Sequence, residues 1–65
     1  MISYQDISAV VDSYIKQYLA SDEYEAERVE SEFRGFIKGL SFSGQIDSEV
    51  SDTLIDKFLL STGAF

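Results

Sequence analysis

The sequence predicts an all-α fold, a small three-helix domain made of an antiparallel helical hairpin and a third packed helix. Three observations carry this expectation. Apolar residues recur at spacings of three and four in three separate stretches. A capping residue precedes each stretch. No proline occurs anywhere in the 65 residues to interrupt a helix.

The first stripe is Ile7, Val10, Val11, Tyr14, Ile15, Tyr18 and Leu19. Asp6, Asp12, Ser13, Lys16 and Gln17 fall off it. Ser3 can accept from the first turn, with Asp6 completing a capping-box-like pair. The spacing predicts a helix over 4–20.

The second stripe is Ala26, Val29, Phe33, Phe36, Ile37 and Leu40. It covers about 100° of a helical wheel, the width expected of a helix that packs on others. Ser21 is read as its N-cap, with Asp22 and Glu23 in the first turn, where the helix dipole favours anions. The helix is expected over 22–41. A connection as short as Ala20–Ser21 implies that it folds back on the first.

Residues 40–46 alternate apolar and polar, a strand-like period that only Ile2 and Tyr4 echo. A lone strand is unstable. The expectation is a short extended segment at 40–46 whose Leu40, Phe42 and Ile46 enter the core. Asp47 or Ser48 then caps a third helix over 48–61, with Val50, Leu54, Ile55, Phe58 and Leu59 on its buried face. Gly63 is placed to stop it. Tyr14, Tyr18, Phe33 and Phe36 read as stacked core aromatics. Phe65 either docks on that core or frays.

Composition bounds the rest. The length allows one domain, 1–65. With no cysteine and no histidine, neither a disulfide nor a Cys/His zinc site can reinforce it. No apolar run reaches the roughly 20 residues of a membrane span. Residues 1–6 lack the basic and apolar regions of a secretory leader. A cytoplasmic protein is expected. The net charge of −7 argues against direct contact with nucleic acid or an anionic membrane. It favours a basic protein partner, or serves solubility alone.

Catalysis is not expected. No His or Cys can act as base or nucleophile, and Lys16, Lys38 and Lys57 stand in no recognisable Ser–Lys pattern. Gly44-Gln45-Ile46-Asp47 echoes the middle of a calcium loop. The twelfth position, however, is Val50 where a bidentate Glu is required, and Gly39, Ser41 and Ser43 supply too few ligands. No metal and no cofactor are expected.

Two features could serve a partner. Asp22, Glu23, Glu25, Glu27, Glu30 and Glu32 put six carboxylates into eleven positions, against Arg28 alone. Such a block is either a solvated helix start, helped by Glu30–Arg34 at i,i+4, or an acidic surface that imitates a phosphate backbone. Tyr24 stands within it, pointing away from the stripe. It is either an interface anchor or folded back on Tyr18 or Leu19. A second candidate surface comprises Gly35 and Gly39, a helix turn apart opposite the core, with Ile55, Leu59 and Leu60 on the third helix. Its apolar arc is wider than a hairpin needs, which points to a homodimer. Gly39 reads more simply as the end of the second helix, and Gly35 has no local account.

The expectation is therefore a small acidic regulator that binds a basic partner, such as a nucleic-acid-binding enzyme or complex, and inhibits it by occupying its groove. In type, a very short, acidic, helical chain without catalytic residues resembles the small regulators and inhibitors of phages and mobile elements. The alternative is a structural, assembly or adaptor subunit that homodimerises or packs into a larger complex through apolar helix faces.

Overall fold

A computed structural model describes residues 3–64; the expectations for Ile2 and Phe65 lie outside them. The stripes form helices α1 (Tyr4–Ala20), α2 (Glu23–Phe42) and α3 (Ser48–Thr62). No strand occurs among the described residues.

Each helix opens on a side-chain cap that satisfies one of the amide donors left free at a helix start. Ser3 Oγ accepts from the Asp6 amide at 3.2 Å, Asp22 Oδ1 from Glu25 at 2.8 Å, and Asp47 Oδ1 from Val50 at 2.9 Å. The second cap corrects the expectation for Ser21. That residue ends α1 instead: its hydroxyl donates to the Gln17 carbonyl and its amide to the Tyr18 carbonyl. With Ser21 taken up by the end of α1, Asp22 holds the cap, and its carboxylate also carries the charge the dipole favours.

The far ends of α2 and α3 are closed by glycine. The Gly44 amide donates to Ser41 at 3.2 Å and the Gln45 amide to Leu40 at 2.9 Å, the two bonds of a Schellman motif. Gly44 takes the left-handed φ of 78° that this motif requires. Gly63, at φ 71°, closes α3 through a single bond to the Leu59 carbonyl, as its place in the sequence predicts.

This closure corrects the reading of residues 40–46. The helix continues to Phe42 and then turns. Two residues apart is about 200° around a helix. Leu40 and Phe42 therefore cannot share a face, as they would in an extended chain. Leu40 packs against the core and Ile46 is buried, but Phe42 is 92% exposed. Gly39 lies three residues inside the helix and does not end it.

All three helices pack against one another. Tyr14 meets Phe33 and Phe36, while the later Tyr18 lies across a groove from the earlier Glu23 and Ala26, so α1 and α2 run antiparallel. The core is Ile7 and Val11 from α1, Phe33 and Ile37 from α2, Ile46, and Leu54 and Phe58 from α3. Through it runs a chain of rings. Phe36 leans on Tyr14, Tyr14 meets Phe33 edge-on at 5.8 Å, Phe33 stacks on Phe58 at 4.2 Å, and Phe58 receives Tyr18 edge-on at 5.5 Å. Every helix contributes to this series, each contact adding about 0.5–1.5 kcal/mol beyond burial. Outside the core, Lys57 on α3 reaches α1, donating to Ser8 Oγ at 2.7 Å and pairing with Asp12 at 2.9 Å.

Candidate protein-binding surface

The inner stripe of α2 is committed to the core, with Val29, Phe33 and Ile37 buried. The remaining circumference of its first half carries the acidic block, and the carboxylates there fall into three groups. Asp22 is used by the cap. Glu30 and Glu32 are held by cations one turn away, Glu30 by Arg34 at 3.2 Å and Glu32 by the preceding Arg28 at 4.0 Å. Glu23, Glu25 and Glu27 are exposed and make no side-chain hydrogen bond or ion pair among the described residues. The helix dipole stabilises negative charge in this first turn, so the cluster sits at the end of α2 that tolerates it.

Glu23, Glu27 and Glu30 follow one another at i, i+4 and i+7 on the side of α2 that faces the end of α3. With Tyr18 and Ala26, and with Ala64 just beyond α3, they line an open groove of about 460 Å³ that Arg34 bounds at its far end. Tyr24 points elsewhere. It is 83% exposed and does not fold back on Tyr18 or Leu19.

The second set of residues is less coherent. Gly35 and Gly39 lie exposed inside α2, and a Cβ added at either meets nothing within 4 Å. Gly35 lines a second groove, of about 510 Å³, between α2 and α3, with Lys38, Ser51 and Ile55. Ile55 and Leu59 are half-buried against the core, which takes up most of the apolar arc of α3. Leu60 stands apart from them at 72% exposure.

Two elements of this surface escaped the sequence reading. Arg28–Glu32 is visible as an i,i+4 pair of opposite charge. Phe42 is visible only once residues 40–42 are read as helix, because it then falls on the outer face with Tyr24. No family model, no curated protein and no solved structure matches the chain.

Proposed function

We propose that the chain is a small acidic protein-binding regulator, an inhibitor that seats the acidic side of α2 in a basic, nucleic-acid-binding surface of a partner. The observation that carries this reading is the set Glu23, Glu25 and Glu27. They stand on the first turns of a capped helix with no cation of their own among the described residues. Charges already fixed on a helix lose less freedom on binding than charges on a loop. The groove between Glu23, Glu27 and Glu30 suits one inserted Lys or Arg, its stem along Tyr18 and Ala26 and its head among the carboxylates. A net charge of −7 steers such a partner from a distance and repels nucleic acid and anionic lipid. Occlusion asks only for shape and charge. The setting it suits is the cytoplasm of a cell that hosts a phage or another mobile element.

The test is capture of a partner from host extract on the immobilised chain. The expected partner is basic, is released as salt rises through physiological ionic strength, and loses its nucleic acid when the chain binds. Reversing Glu25, Glu27 and Glu30 to Lys should abolish capture, since every lost contact also adds repulsion. Circular dichroism should show the helices intact. Equal capture by the folded triple variant would reduce the block to a solvated surface. A second reading, an assembly or adaptor subunit, is favoured by a separate observation: Leu60 on α3 and Tyr24 and Phe42 on the outer face of α2 are large apolar side chains left mostly exposed.

A further inference from the structure

The two most exposed large hydrophobic side chains among the described residues, Tyr24 and Phe42, lie at opposite ends of the same helix. They are eighteen residues apart, which is about five whole turns, so they project in the same direction roughly 27 Å from each other. Between them, on the same outer face, lie Ser31 and Gly35. The resulting seam is aromatic, small, small, aromatic, symmetric about position 33. Each of these residues is exposed, and nothing lies within 4 Å of a Cβ placed on Gly35; Ser31 and Gly35 also form the α2 rim of the open groove toward Ser51 and Ile55 of α3.

Charge says what covers it. The first half of α2 carries five glutamates behind the Asp22 cap, against Arg28, which is taken by Glu32. From Phe33 to Ile46 there is no carboxylate, and this second half carries Arg34 and Lys38. Arg34 is taken by Glu30, while Lys38 has no ion pair among the described residues. A helix polarised in this way complements a copy of itself laid antiparallel and repels one laid parallel.

We infer that two copies of the chain pair antiparallel through the outer faces of α2, on a twofold axis opposite position 33. Reversal about that axis brings Tyr24 of one protomer against Phe42 of its partner, at both ends. Ser31 meets Gly35 at the centre, where small residues let the backbones approach. Lys38 comes level with Glu27 on the same flank of the seam, close enough for an ion pair between protomers. A crossing angle of about 20° is common for such helix pairs. At the ring positions it offsets the two helix axes sideways by about 5 Å, so that the rings lie beside each other rather than end to end. The antiparallel arrangement also sets the two helix dipoles in opposition and keeps the two acidic blocks apart.

The pairing covers Tyr24 and engages Glu27, and leaves the groove-lining Glu23 and Glu30 accessible. It shares Glu27 with the acidic-groove reading, but Gly35 and Phe42 belong to the seam alone. Substitutions there test one without touching the other.

The chain has no cysteine, so crosslinks can be placed at will. Tyr24→Cys chains mixed with Phe42→Cys chains should give a disulfide-linked dimer on mild oxidation, the far end of which keeps its native aromatic pair. Neither variant should crosslink by itself, since like positions lie far apart. In sedimentation from low to high micromolar concentration, the parent should approach twice the 7.3 kDa of one chain. Phe42→Ala removes two symmetric contacts at once and should weaken association about tenfold or more. Gly35→Leu has open space in one chain and should keep its helix content while remaining at 7.3 kDa. A parent that stays monomeric across the range and does not crosslink overturns the inference. So does crosslinking of either cysteine variant alone, which means parallel pairing. A dimer indifferent to Gly35→Leu and lost in Leu60→Ser overturns it too, by placing the contact on α3.

Discussion

The two halves of α2 share an inner face and little else. Along that face Val29, Phe33 and Ile37 are buried in one unbroken stripe. Around the rest of the helix, the first half carries five glutamates behind the Asp22 cap and a single cation, and the second carries two cations, two glycines and no acid. The core contacts only the stripe, so the fold specifies about a third of the circumference and leaves the remainder to other demands. Solubility alone would be served by acids spread over both halves. Their confinement to the half whose dipole favours them has a local explanation. The glycines of the other half have none within the chain, because they cost helix stability and make room for nothing the chain itself supplies.

The largest expected effect comes from the stripe both halves share. Phe33→Ala removes a buried ring that touches Tyr14 and Phe58 and so loosens all three helices together. A cost of about 3–5 kcal/mol is expected. That is most of what so small a domain has, and circular dichroism at room temperature should show substantial loss of helix. Phe42→Ala, the same chemical change on the outer face, should shift stability by no more than about 0.5 kcal/mol. Similar losses for both would mean that Phe42 packs within one chain. Next in size is the start of the first half. Asp22→Ala leaves the Glu25 amide without its acceptor. It should cost about 1 kcal/mol in urea unfolding, whereas Ser21→Ala should cost less, since α2 does not depend on Ser21 for its cap.

Much of this was legible in the sequence, and the failures have definite causes. The three stripes and the Asp47 and Gly63 signals were local patterns, and helices α1, α2 and α3 begin and end within a residue or two of where those patterns place them. Ser21 and Asp22 are adjacent residues of equal capping ability, and only the course of the backbone decides between them. Residues 40–42 misled because a Leu-x-Phe alternation satisfies a strand period while also being tolerable in a helix with an aromatic left outside. The acidic block was visible as composition. Its division into capped, paired and free carboxylates depended on side-chain geometry, although Glu30–Arg34 followed from spacing. Lys57 was not legible at all. It meets Ser8 and Asp12, nearly fifty residues earlier in the chain, through packing that no local pattern encodes.

The smallest expected effect separates two glycines five residues apart. Gly39 sits in the helical interior of the second half, and Gly44 sits at its Schellman closure. An alanine at 39 meets nothing within 4 Å and adopts helical dihedrals without strain. It also restricts the unfolded chain, so Gly39→Ala should stabilise the protein by about 0.5–1 kcal/mol. Space is equally open at 44, but φ there is 78°, in the left-handed region where a Cβ approaches the following carbonyl. Gly44→Ala should therefore destabilise by about 1 kcal/mol. The opposite signs are the useful part, because each substitution is the control for the other in composition, size and open surroundings. Urea midpoints at a concentration low enough to keep the chain monomeric measure both. Stabilisation at 39 would mean that the second half of α2 forgoes helix stability for something outside the single chain. A loss at 39 as large as at 44 would mean that the helix already ends near Lys38, and the seam that joins Tyr24 to Phe42 would lose its far end.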